Sequence, residues 1–150
     1  MDAGLIAGLL VTPEKRLESP KGDVLRAIKR SSPGFVGFGE TYFSTIHEGA
    51  VKGWRRHNRV TLNLVVPVGR IRFVVHDARP GSTSSGRFCD VPLGGPNHAR
   101  LTVAPGLWMA FQGLGPGTSV LLNLIDEEHD PNESNTVEID AFRFDFAVRP

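Results

Sequence analysis

The sequence predicts an all-β protein, a sandwich or barrel of antiparallel strands. Three observations carry this. Seventeen glycines and 11 prolines in 150 residues interrupt the chain too often for long helices. Between them lie about ten apolar runs of strand length, each bounded by turn residues. No segment keeps a helical period beyond about two turns.

Composition bounds the rest. A chain of 150 residues with 40% hydrophobic and 22% charged residues fits one globular domain over 1–150 with a real core. The net charge of +1 gives no overall basic field, so nucleic acid is not an expected partner. The one cysteine, Cys89, cannot form an internal disulfide and fits a reducing cytoplasm. No apolar run approaches the roughly 18 residues of a membrane span. Asp2 stands where a secretory leader needs positive charge, so the apolar start reads as a strand and no membrane partner is expected.

Taken in order, residues 4–11 form the first expected strand, stopped by Thr12-Pro13. A polar stretch broken by Pro20 and Gly22 follows, with a short strand over 24–28. The aromatic run from Phe35 to Ile46 suits a sheet face. Residues 49–69 read as a hairpin whose second arm is the strand 61–66. Ile71, Phe73 and Val75 alternate in a strand over 70–76, to which Val74 adds a second apolar face. After the turn-rich loop 77–86 come strands over 88–93 and 98–103, expected to pair across Gly94-Gly95-Pro96-Asn97. Residues 107–111 form another strand. Ser119 to Ile125 is apolar enough to be central. Residues 126–135 make an acidic loop. In the last segment, 137–148, Phe142, Phe144 and Phe146 share one face, opposite Arg143 and Asp145.

The hairpin is the chemically pointed stretch. Lys52, Arg55, Arg56, His57 and Arg59 surround Trp54, a local cationic site suited to an anion. Gly49, Arg55, His57, Leu62 and Gly69 also keep the spacing of the first cupin motif: a glycine, two ligands two apart, an acidic ligand and a turn glycine. That spacing narrows the fold to a cupin jelly roll with Arg55, His57 and Leu62 facing a pocket. Arg55 and Leu62 replace ligands, and Met109 stands where the second motif has its histidine. A lone imidazole holds no divalent ion tightly, so neither a metal nor another cofactor is expected.

Further pieces resemble the dTDP-4-dehydrorhamnose 3,5-epimerase family of cupins. Ile6-Ala7-Gly8-Leu9-Leu10-Val11 looks like its opening strand. Lys52-Gly53-Trp54-Arg55 sits at its Arg-Gly-Leu-His, and the stretch from Asp77 to Thr83 is similar to its Asp-x-Arg loop. Asn97 to Gly106 resembles the strand before its Ala-His-Gly-Phe segment. His129-Asp130-Pro131-Asn132-Glu133 resembles its Tyr-x-Pro-x-x-Glu. The resemblance implies a pocket for a dTDP-linked 4-keto sugar and a homodimer whose N-terminal strands cross between subunits. It places the family's catalytic His on Arg55, its Lys on Leu62, its Tyr at Glu128 or His129, and its Asp on Asp140. The cationic phosphate-binding positions fall on Lys21 and Lys52. An arginine stays protonated at any working pH and cannot act as base. The 3,5-epimerase chemistry is therefore expected to be lost or altered.

In the related sugar 3,4-ketoisomerases the pattern is Arg-Gly-x-His-x-His, and His57 occupies its second His. His57 reads either as an acid/base group, with Glu128 or His129 opposite, or as a pocket-lining residue. Arg55 either grips a diphosphate or pairs with Asp140. Trp54, Trp108 and Tyr42 are either stacking surfaces for the ligand or packing. Three functions follow: a nucleotide-sugar epimerase-like protein of surface-polysaccharide metabolism with altered chemistry, a ketoisomerase using His57, or a non-catalytic binding or interaction module.

Overall fold

The computed structural model describes residues 5–150; Asp2 and Gly4, named above, lie outside the described residues. Twelve strands occur there: β1 (Leu9–Pro13), β2 (Arg16–Leu17), β3 (Val24–Leu25), β4 (Glu40–Ile46), β5 (Val51–His57), β6 (Leu62–Val68), β7 (Arg70–His76), β8 (Phe88–Gly94), β9 (Ala99–Val103), β10 (Trp108–Gly113), β11 (Ser119–Ile125) and β12 (Ser134–Thr136). One five-stranded sheet has the order β1-β9-β6-β11-β4, the other β12-β5-β10-β7-β8, and β2 pairs with β3. All ladders are antiparallel. The two sheets face each other over a core that includes Leu64, Ile71, Phe73, Leu101 and Leu121.

The alternating strands behave as their period demands. In β7, Ile71, Phe73 and Val75 enter the main core. Val74, on the other face, joins Trp54, Trp108 and Ala110 in a second cluster. Phe142, Phe144 and Phe146 pack on that cluster. The period-two pattern of 137–148 is therefore real, but no strand forms there. After β12 the chain makes a 3-10 turn at Ile139–Ala141 and runs on as an extended arm. Buried Arg72 holds that arm by donating to the Phe146 and Val148 carbonyls.

Three other expectations change. The first strand begins at Leu9 and includes Thr12-Pro13; a proline at the end of an edge strand removes no ladder bond. β8 and β9 do not pair. β8 joins β7 and β9 joins β1 and β6, because the glycine turn carries the chain from one sheet to the other. Gly94 has φ 104°, and a Cβ there would fall on the Gly69 carbonyl.

Nor do β5 and β6 form a hairpin, since they belong to opposite sheets. The backbone between them is turned toward side chains instead. The N–H groups of Asn58, Arg59 and Val60 all donate to Glu133 Oε2 (2.8, 2.8 and 3.0 Å). Thr61 N–H donates to Asp126 Oδ1 at 2.8 Å. A carboxylate distant in sequence thus satisfies the donors that a hairpin would have paired.

Candidate active site

A cavity of about 620 Å³ opens between the sheets. One wall comes from β5 and β10 with the segment after β12, the other from β4, β6 and β11. Leu62, Leu64, Met109, Phe111 and Leu121 make much of its lining apolar. Polar groups come from both sheets. Lys52, Arg55 and His57 lie on one side, Tyr42 and Asn123 on the other.

A bulge explains how three groups of β5 share the cavity. Arg55 pairs with Met109, but Lys52 pairs with Phe111. Gly53 and Trp54 therefore stand opposite Ala110 alone. The extra residue reverses the alternation, so Lys52 turns to the same side as Arg55 and His57. Trp54 turns outward into the second cluster, fully buried, its indole N–H donating to the Ile139 carbonyl at 3.0 Å. Its edges meet Phe142 and Phe88.

His57 and Glu133 form the best-defined polar pair. His57 Nδ1 lies 2.6 Å from Glu133 Oε1. Glu133 is buried, at 3% exposure. Burial opposes its charge, but the Arg59 N–H, the His57 ring and the Val60 N–H outweigh burial and lower the carboxyl from 4.5 to about 2. An ionised carboxylate only accepts hydrogen bonds. In the neutral imidazole Nδ1 therefore carries the ring proton, and Nε2 is left with the lone pair. Nε2 makes no hydrogen bond to the chain among the described residues, and His57 lines the cavity. Such an arrangement can orient a general base.

The cationic groups differ in freedom. Arg55 is exposed in the cavity wall, with no ion pair or side-chain hydrogen bond among the described residues. The Lys52 ammonium donates to the Thr45 carbonyl at 2.7 Å and the Ser44 hydroxyl at 3.4 Å, and lies 5.6 Å from the Phe111 ring. On the opposite wall Asn123 Nδ2 donates to the Tyr42 hydroxyl at 3.0 Å.

The remaining expected residues stand elsewhere. Lys21 is exposed in the turn between β2 and β3. Glu128 and His129 are exposed in the loop after β11, where His129 N–H donates to Glu40. Asp140 is exposed on the 3-10 turn and makes no ion pair with Arg55. Trp108 packs in the second cluster beneath the Arg56 guanidinium, 5.0 Å from its ring. None of these five lines the cavity. Sequence reasoning missed roles for Glu133 and Asn123. Among the described residues no three His, Cys, Asp or Glu side chains come together.

No family model matches the chain. A solved structure of a dTDP sugar isomerase from Desulfovibrio desulfuricans G20 is 33% identical, with a TM-score of 0.92 over 97% of this chain and 95% of that one. The chain belongs to the dTDP-4-dehydrorhamnose 3,5-epimerase-like family of cupins. A probable low-salt glycan biosynthesis epimerase of Haloferax volcanii is 31% identical over 98 residues. That match covers 62% of this chain and 62% of the relative's length. The fold also matches a 3'-monoepimerase from Streptomyces bikiniensis solved with dTDP-quinovose, at 21% identity and a TM-score of 0.79 over 88% and 70% of the two chains. The all-β cupin jelly roll expected from the motif spacing is the fold of this family. Among the described residues no helix is long and apolar enough to cross a membrane.

Proposed function

We propose that this protein binds a dTDP-linked 4-keto-6-deoxy sugar and moves its keto group between neighbouring carbons, with His57 as the acid/base group. The observation that carries the reading is the His57–Glu133 pair in the wall of the cavity. The name of one relative, a dTDP sugar isomerase, supplies the nucleotide-sugar class.

Nε2 of His57 takes the proton from the carbon beside the ketone. The C–H electron pair forms the carbon–carbon double bond, and the carbonyl pair moves onto oxygen. A proton then passes between the two oxygens of the enediol, and His57 returns its proton to the former carbonyl carbon. Atoms and electrons balance without a redox partner. One base on one face completes this sequence, whereas epimerisation needs a donor on the other face. Glu128 and His129, expected there, do not line the cavity. Arg55 and Lys52 are the cations for the diphosphate, with Arg55 the freer and the bidentate donor.

The homodimer implied by the family resemblance belongs to this proposal. The β2–β3 ribbon exposes Leu17 and Val24, and a two-stranded ribbon is marginal alone. A second copy covering it would bury those side chains, and Lys21 sits on the turn between the two strands. Light scattering on the purified protein checks this, and a monomer would remove Lys21 from the proposal.

The test is isotope exchange on dTDP-4-keto-6-deoxyglucose in D2O, followed by NMR. The expected result is deuterium beside the ketone and appearance of the 3-keto isomer. His57→Asn should slow both by about 10²–10⁴-fold. A wild-type protein that binds dTDP yet exchanges no proton would leave a binding module and end the catalytic reading.

A further inference from the structure

Asn123 stands out among the inward residues of β11. Its neighbours on that face, Leu121 and Ile125, are core residues. Across the ladders it pairs with Leu64 on β6 and Tyr42 on β4. An apolar residue is what packing asks for here. Asn123 is only 4% exposed, its Nδ2 is taken by the Tyr42 hydroxyl, and its Oδ1 is buried with no hydrogen-bond donor. A buried carbonyl oxygen left unpaired is costly. This one belongs to a residue lining the cavity, opposite the sheet that carries His57.

We infer that Asn123 is a specificity-determining residue, its Oδ1 accepting a hydrogen bond from a sugar hydroxyl of the ligand. This rests on the nucleotide-sugar reading above and names the part of the ligand that the site reads. The pair with Tyr42 sharpens it. Because the phenol oxygen accepts from Nδ2, the phenol O–H is left to donate. Tyr42 and Asn123 then present one donor and one acceptor side by side, which complements a carbonyl next to a hydroxyl. An α-hydroxy ketone has that pattern. A sugar lacking the hydroxyl leaves Oδ1 unpaired, and such a site discriminates against it strongly.

The experiment compares Asn123→Leu with wild type by calorimetric titration of two ligands, dTDP and dTDP-quinovose, and by thermal unfolding. Affinity for dTDP-quinovose should fall about tenfold, the worth of one hydrogen bond from a buried site. Affinity for dTDP should stay within about twofold, because dTDP lacks the hexose whose hydroxyl would meet Asn123. The melting temperature should rise, since leucine removes an unpaired polar atom from an apolar wall. Equal loss on both ligands, no loss on either, or a fall in melting temperature with unchanged selectivity would make Asn123 structural and overturn the inference. A wild-type protein that binds neither ligand would overturn the nucleotide-sugar reading and this subsite with it. If the leucine variant does not fold, Tyr42→Phe on edge strand β4 decides: selective loss on dTDP-quinovose supports the pair, and unchanged selectivity refutes it.

Discussion

Glu133→Gln tests both roles of one carboxylate. In the native chain Oε2 accepts from three successive backbone N–H groups and Oε1 from His57. Lowering the carboxyl from 4.5 to about 2 stabilises the fold by about 3 kcal/mol at neutral pH. The folded value is the depressed one, so this stability is complete above about pH 4.5 and drains away as the pH falls toward 2. The glutamine variant should therefore be less stable by up to about 3 kcal/mol at pH 7. With a urea dependence of about 1.5 kcal/mol per M, its unfolding midpoint drops by about 2 M. The gap should close between pH 5 and 2. The second effect is on tautomer. A carboxamide NH2 placed at His57 donates to Nδ1, moves the ring proton to Nε2 and removes the lone pair that faces the substrate. Nitrogen-15 NMR reads that change, and isotope exchange should fall about 10²–10⁴-fold. A variant with the native tautomer and native exchange would refute the orienting role. A stability gap that persists at pH 2 would refute the electrostatic account.

Arg55→Ala should weaken dTDP binding by about 10–100-fold, the worth of a charged hydrogen bond. Because Arg55 has no partner within the described chain, the melting temperature should hold within roughly 2 °C; unchanged affinity by titration would remove Arg55 from the diphosphate site. Asp77→Ala should lower the melting temperature by roughly 10 °C. Fully buried Asp77 accepts from Arg79, Ser82 and Ser84, and these bonds, that of Arg79 foremost, hold its carboxyl well below the usual range. Thermal melts across pH should show the wild-type advantage complete above the ordinary carboxyl value of 3.8 and fading progressively as the pH falls below it into strong acid.

Strand positions were legible because a strand buried on one face alternates, as β11 does, and one buried on both faces, as β7 is, reads as a nearly continuous apolar run. Strand partners were not. Whether β5 pairs with β6 depends on Glu133, whose carboxylate arrives from about 75 residues downstream to take the intervening amides. No local period encodes that contact. The side to which Lys52 points was hidden by the bulge at Gly53–Trp54, since a strict period of two puts Lys52 with Trp54. Asn123 did leave a signal: it is a single amide at an inward position in Ser-Val-Leu-Leu-Asn-Leu-Ile. Glu133 was visible only as the last residue of the Pro131-Asn132-Glu133 piece, with nothing to say which residue it would face.

The position of the base carries a further consequence. The family resemblance sets the catalytic His at position 55, whereas the imidazole oriented by a carboxylate is at 57. Both side chains line the cavity, so the proposed base stands about 6–7 Å further along one face of the strand. That exceeds the spacing of neighbouring ring carbons, which are joined by single bonds. A ligand held in the family's pose would thus offer His57 a different carbon, or it would have to slide. Position 55 now carries a fixed positive charge, which can meet a phosphate or an enolate oxygen but cannot take a proton. On the proposed reading, one strand exchanges its base for an anchor and gains a base two residues later. A displaced site of proton abstraction follows from that exchange more directly than a weakened form of 3,5-epimerisation does.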